Sequence, residues 1–180
     1  IRDSSKTIDC IWNGMTATDE LKNQINFSSA YMNNSQVAVI RKADAAKYKD
    51  LASMSGAKVV AEAGSAGEIA VKADAGLSKS YLPVKDQGTS LMEVKSKTAD
   101  IAIIDAVTAA GSIGEGTDYD DLMIVDVISS ADSEVYAVGI RKSDTELTAK
   151  INAAIKELYD DGTLAKLAEK YNLSGRVIAQ

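Results

Sequence analysis

A chain of 180 residues with 46% hydrophobic content is long enough to bury one large core or two small ones. Its net charge of −6, with Lys and Arg spread rather than clustered, gives no basic footprint for nucleic acid, and no apolar run approaches the roughly 20 residues of a membrane helix. With no histidine and a single cysteine, the usual zinc sets, histidine acid–base chemistry and an intramolecular disulfide drop out, so neither a metal nor a cofactor is expected.

The chain starts without Met on the polar IRDSSKT and runs into an apolar strand, IDCIW at 8–12, so it reads as entered partway through a fold, with a segment expected upstream. Cys10 sits between Ile8 and Trp12 at the two-residue period of a strand, which predicts a buried thiol. The strand stops at Asn13-Gly14, and Thr16 and Thr18 precede an acidic pair. A strand feeding a glycine turn and a Thr-capped helix leaves N–H groups and hydroxyls at one spot, either as a binding site or as a plain helix cap.

Further buried strands are predicted at VAVI (37–40), AKVVA (57–61), IAII (101–104), LMIV (122–125) and VYAVGI (135–140). Helical patterns at 45–52, 66–75, 89–97 and 106–112 lie between them, the alternation of an α/β chain with a doubly wound sheet. Such sheets bind ligands beyond the carboxyl ends of their strands, which directs attention to Gly14, Gly64 and Asp105. EAGSAGE at 62–68 is strand, glycine loop and helix: the N–H groups of Ser65 to Gly67 can cradle an anion, and Ser65 can equally be a simple cap. The loop lacks the Lys-Ser/Thr ending of a nucleotide-binding P-loop. Asp105 ends the IAIID strand at a position where Asp also serves as an N-cap.

The C-terminal part reads as two helices. Ser143 and Glu146 form a capping box ahead of the stripe Leu147, Ile151, Ile155 and Leu158, which Asp161-Gly162 stops; a second helix from Thr163 carries Leu164, Leu167, Ala168 and Tyr171 on one face. The echo of IRKAD (40–44) in IRKSD (140–144) brackets a segment with its own βαβ pattern, although a strand exit before a helix start yields the same letters without any repeat.

Four of these stretches, in order, resemble the bacterial extracellular solute-binding proteins that serve ABC importers of polar amino acids. IDCIWNGMTATDELKNQINFSSAYMNNSQVAVIRK is similar to that family's strand, Gly-x-Thr turn, helix, F-S-x-x-Y and first crossing strand. GAKVVAEAGSAGE, KTADIAIIDAVTA and INAAIKELYDDGTLAKLAEKY resemble its second-lobe glycine loop, its G-x-x-D-A-x-x-x-D segment and its terminal helix pair, so the resemblance runs from about Lys6 to Asn172. It implies a two-lobe periplasmic-binding-protein-like fold, with 1–40 and 140–180 forming a partial first lobe and 41–139 a second. It also implies that the first lobe is incomplete in this chain and is covered by a dimer partner or a complementing N-terminal fragment.

By the same resemblance Ser65 and Ala66 meet a ligand's α-carboxylate, Asp105 its α-ammonium, the Gly14 carbonyl and Thr16 the same two groups from the first lobe, and Glu62 the ligand side chain. Leu21 stands where the family usually places a carboxylate-clamping arginine. Glu62 and Asp105 without that arginine imply an acidic cleft suited to a basic amino acid, Glu62 being otherwise a solvated strand-end residue. The implied function is extracytoplasmic capture of a small amino acid-like solute for an ABC permease, without catalysis. The alternatives are a dehydratase-like enzyme using Asp105 and Glu62, or a sensory ligand-binding domain.

Overall fold

The structure, a computed structural model, describes residues 8–128 and 134–180. In chain order the strands and helices are β1 (Cys10–Ile11), α1 (Asp19–Gln24), β2 (Asn26–Phe27), β3 (Met32–Asn34), β4 (Gln36–Arg41), β5 (Val59–Glu62), α2 (Ala66–Ala73), β6 (Tyr81–Val84), α3 (Gln87–Lys95), β7 (Ile101–Asp105), α4 (Ala106–Ser112), β8 (Leu122–Val127), β9 (Glu134–Tyr136), β10 (Gly139–Ile140), α5 (Thr145–Asp160) and α6 (Thr163–Lys170). They fall into two compact units, one within Ile1–Asn34 and Ala131–Gln180, the other within Ser35–Ser130. The unit boundaries therefore lie ahead of those expected at 40/41 and 139/140. The reason is pairing: β4 belongs wholly to the second unit's sheet and β10 wholly to the first unit's.

The second unit is a five-stranded sheet in the order β6-β5-β7-β4-β8. β5 runs parallel to β6 and β7, as the helical crossovers between them require, and β4 is antiparallel to both β7 and β8. Side chains alternate across it. Val37, Val39, Val60, Ala102 and Ile104 meet Leu91 and Val94 of α3 and Ala106 and Ala109 of α4, while Ala38, Ile40, Val59, Ala61, Ile101 and Ile103 meet Val71 of α2 with Met54 and Leu77. Both faces are covered, which is why these strands read as unbroken apolar runs. The helix expected over 45–52 is absent; two 3-10 turns, Lys42–Asp44 and Leu51–Met54, occupy this region, the second closed by a capping box between Asp50 and Ser53. Tyr48 and Met54 supply the burial there without a helical period.

At the opposite end of β4 from its first residue, Arg41 ties three elements together. Its guanidinium pairs with Asp44 at 2.6 Å and Asp100 at 3.4 Å and donates to the carbonyls of Val94 at 2.6 Å and Ala99 at 2.7 Å. A cation on the Val94 carbonyl, in the last turn of α3, also complements the helix dipole.

The first unit has less sheet. β1, β10 and β2 form a three-stranded antiparallel sheet and β3 pairs with β9 in a separate ribbon. The single strand expected at 135–140 is thus two, interrupted at Ala137-Val138, because Val138 exchanges bonds with Ser28 rather than continuing either ladder. Val138, Ile140 and Ile155 form its buried centre, with Cys10, Tyr31, Leu147, Ile151 and Leu164 packed around them. Cys10 is half-buried against that cluster, not fully enclosed. The cap of α5 is Asp144, whose carboxylate accepts from the Leu147 N–H at 3.0 Å, instead of the expected Ser143 box.

Replacing Arg41 by Met strips donors from two carboxylates and two carbonyls at once. The expected loss is about 3 kcal/mol of unfolding free energy by chemical denaturation, the scale for removing one side of a buried pair. A loss under about 1 kcal/mol, as for an exposed pair, would show that this network contributes little.

Candidate functional site

Because β5, β6 and β7 are parallel, their carboxyl ends share one edge of the second unit, and antiparallel β4 brings its first residue there. Glu62 ends β5 and Asp105 ends β7, with Gln36 directly opposite Asp105 in register. Gly64, at φ +76, turns the chain from β5 into α2, a conformation that favours glycine. Ser65 is a genuine cap: its hydroxyl accepts from the Glu68 N–H at 3.1 Å and donates to the Glu62 carbonyl at 2.7 Å.

The expected cradle is narrower than Ser65 to Gly67, since the Ser65 N–H already bonds the Glu62 carbonyl at 3.2 Å. The N–H groups of Ala66 and Gly67 remain without a hydrogen-bond partner among the described residues, as the first turn of a helix leaves them. Glu68 fixes the loop from behind. Its carboxylate accepts from the Gly64 N–H at 2.8 Å and the Tyr81 phenol at 3.0 Å and pairs with Lys72 at 2.9 Å. Lys72 and the Gly64 N–H hold the Glu68 carboxyl below the usual range, while burial and Glu68 itself push the Tyr81 phenol up.

Asp105 occupies the N-cap position of α4 but does not cap it. The carboxylate is instead gripped by two amides: Gln36 Nε2 donates to Oδ1 at 2.6 Å and Gln87 Nε2 to Oδ2 at 2.6 Å. The Gln87 amide closes a ring, its Oε1 accepting from the Asp105 N–H at 3.1 Å. Gln36 is held in turn by Gly67, where an added Cβ would lie 2.9 Å from the Ile103 carbonyl and 3.0 Å from Gln36 Oε1. Sequence reasoning missed both glutamines. The available signal was a polar residue at the mouth of the apolar VAVI strand and another just after Asp86, the cap of α3.

Glu62 stands on the same edge, half-buried, and its carboxyl is pushed up by burial and by the charges of Asp105 and Asp86, against a bond from the Gln87 N–H. One sheet edge therefore gathers carboxylates that attract a cation and unsatisfied N–H groups that attract an anion.

In the first unit, Gly14 at φ +73 packs on Tyr136, 3.3 Å from its ring to an added Cβ, and Thr16 bridges to Tyr136. Thr18, not Thr16, caps α1, accepting from the Leu21 N–H at 3.3 Å. The Tyr31 phenol is pushed up by burial, with bonds from the Trp12 indole and the Gly14 N–H opposing. Leu21 lies half-buried on α1 and brings no cationic donor. The structure thus groups Glu62, Ser65, Ala66 and Asp105 in one unit and Gly14 and Thr16 in the other.

These features coincide with a match to known proteins. The profile of bacterial extracellular solute-binding proteins, family 3, covers residues 4–174, and the chain belongs to that family. It is 33% identical over 171 residues to the arginine-binding extracellular protein ArtP of Bacillus subtilis, covering 93% of this chain and 64% of ArtP, just under two thirds of that relative's length. An amino acid ABC transporter substrate-binding protein from Streptococcus pneumoniae bound to L-arginine superposes with a TM-score of 0.80 at 26% identity, over 97% of this chain and 70% of that one. The ancestral amino acid-binding protein AncCDT-1, a precursor of cyclohexadienyl dehydratase, superposes with a TM-score of 0.77 at 29% identity, over 92% of this chain and 70% of its own. The two-lobe fold of these binders, present here in part, is the fold of this chain.

The environment of Glu62 gives a signed expectation. Its folded-state carboxyl is raised, so its contribution to stability is complete below the ordinary carboxylate range and is lost as pH rises through the raised value. Ionising Glu62 therefore opposes folding. Glu62→Gln is expected to raise the melting temperature at pH 7, with the gap closing as the pH is lowered beneath the carboxylate range. A variant that melts lower than wild type at pH 7, or with a pH-independent gap, contradicts the cost of charging Glu62 that burial and the neighbouring Asp105 and Asp86 impose.

Proposed function

We propose that this chain belongs to an extracytoplasmic receptor that captures a cationic amino acid, of the kind carried by L-arginine, and presents it to an ABC importer. The observation that carries the reading is the second unit's edge, where Asp105 and Glu62 stand beside the Ala66 and Gly67 N–H groups. A zwitterion with a cationic side chain fits that set. Its α-ammonium suits Asp105 and its α-carboxylate the N–H groups after Ser65, while Glu62 favours a positive side chain. Gly14 and Thr16 are assigned to the same solute through their motif in the first unit.

The relative names support the choice of arginine as first probe. The kinship with a dehydratase precursor favours a second reading, an enzyme with Asp105 and Glu62 as its acid and base. The first unit is read as completed by further chain, a second copy or a complementing segment, because Leu167 and Tyr171 on and just after α6 stay exposed beside a small buried centre. A stable monomer by light scattering, with nothing bound, speaks against that completion.

Calorimetry with L-arginine tests the receptor reading. Asp105→Asn is expected to weaken binding by roughly two to three decades, as for a lost partner of a desolvated charge. With the first unit completed by an N-terminal segment, Leu21→Arg is expected to tighten it by supplying a carboxylate fork, and mass spectrometry is expected to recover the arginine unaltered. Unchanged affinity in Asp105→Asn sinks the ammonium assignment, and a converted product favours the enzyme instead.

A further inference from the structure

We infer that Gln36 and Gln87 are positioning residues that fix the Asp105 carboxylate as an acceptor for the solute's ammonium, and so set how strongly this edge discriminates for that group. The inference rests on the receptor reading above, and it concerns residues that the family motifs quoted for this chain leave without a role.

The geometry is that of a clamp. Each Asp105 oxygen receives a side-chain amide at 2.6 Å, from opposite sources: Gln36 at the start of β4 and Gln87 in the first turn of α3. Both distances are short for an N–H donor, as bonds to a charged acceptor are. Gln87 cannot turn over without loss, because its Oε1 is engaged by the Asp105 N–H at 3.1 Å, which leaves Nε2 facing the carboxylate. Gln36 is fully buried, and Gly67 leaves just enough room for its Oε1.

Two amides are a telling choice of donor. An arginine or lysine in either place would cancel the carboxylate's charge, and an ammonium ligand would then meet a neutral pair. An amide fixes direction and adds no charge. A carboxylate accepts through both oxygens, so a directed amide on each holds the plane of the group and the direction in which it faces a further donor. Fixing that plane before binding removes an ordering cost from association.

The test has a part that needs no ligand. In amide-detected NMR of the intact chain, the side-chain NH2 signals of Gln36 and Gln87 are expected downfield of the other glutamines, with one proton of each returning upfield in Asp105→Asn. Signals at ordinary positions, or unmoved by Asp105→Asn, overturn the clamp.

The second part reads selectivity with two probes, L-arginine and 5-guanidinopentanoic acid, which lacks the α-ammonium. Gln87→Leu is expected to weaken L-arginine roughly tenfold, as for one lost bond to a charged group, and the ammonium-free probe by less than about twofold. Equal losses for both probes would mean that Gln87 only supports the fold, and would overturn its positioning role. Gln36→Leu, at a more buried site, is read by the same ratio of the two affinities rather than by absolute binding. If wild type takes neither probe while the amide signals shift as expected, the clamp stands and the receptor reading fails.

Discussion

Placing a carboxylate at the end of a strand whose five residues are all buried is the constraint on which the second unit's candidate site depends. Asp105 is 7% exposed, and a polar group withdrawn from water that far needs hydrogen-bond partners. The chain meets this need with topology. β4 runs antiparallel to β7, so its first side chain, Gln36, arrives at the end of β7 instead of at its start. The parallel crossover through α3 brings the first turn of that helix, with Gln87, to the same edge. A slip of one residue in the β4–β7 register would aim Gln36 at the other face of the sheet and leave Asp105 with one amide. The apolar alternation that packs Val37 and Val39 against α3 and α4, and Ala38 and Ile40 against α2, is therefore also what aligns the site.

What the sequence revealed follows from which forces leave a periodic trace. Strands covered on both faces must be apolar throughout, so VAVI, AKVVA and IAII announced themselves, whereas LMIV, expected to be buried, lies on the edge strand β8 and leaves Ile124 41% exposed. Tyr81–Val84 escaped notice because an edge strand containing Pro83 carries no such run. The 45–52 segment failed for the opposite reason: its alanines and lysines suit a helix, but burial of Tyr48 and Met54 and the Asp50–Ser53 box stabilise short turns instead. The break at Ala137-Val138 depends on Ser28, more than a hundred residues away in sequence, and no local pattern encodes it. The site behaved likewise. Glycine, serine and aspartate positions stood out through turn chemistry, whereas Gln36 and Gln87 acquire meaning only when the sheet places them beside Asp105.

The IRKAD and IRKSD echo has a local physical basis. In both places the arginine pairs with the aspartate three residues on, Arg41 with Asp44 at 2.6 Å and Arg141 with Asp144 at 3.8 Å. Each guanidinium also takes a backbone carbonyl, those of Val94 and Ala99 in one case and of Ile8 at 2.8 Å in the other. The surroundings differ: Asp44 ends a 3-10 turn, and Asp144 caps α5. A shared way of closing a strand exit accounts for the shared letters without a duplicated fold. The second unit uses the device more fully, since Arg141 Nε is buried without a hydrogen-bond partner among the described residues.

The chemistry of the edge follows from the same economy of parts. Glu68 is spent on the Gly64 N–H, Tyr81 and Lys72, and the Ser65 hydroxyl on Glu62 and Glu68, so the residues that shape the glycine loop are those whose hydrogen-bonding capacity is already used. What the edge presents besides is of two kinds: the Ala66 and Gly67 N–H groups at a helix start, and at strand ends the half-buried Glu62 carboxyl beside the amide-held carboxylate of Asp105. Neither kind alone distinguishes an amino acid from a simple ion. On the receptor reading the two kinds together favour a ligand carrying both signs, and the Glu62 carboxyl, raised by burial and then by the charges of Asp105 and Asp86, is eased by positive charge. On the receptor reading proposed above, a cationic side chain would offset the cost of charging Glu62, in addition to the α-ammonium assigned to Asp105, and that is how the same edge would favour a basic amino acid over a neutral one.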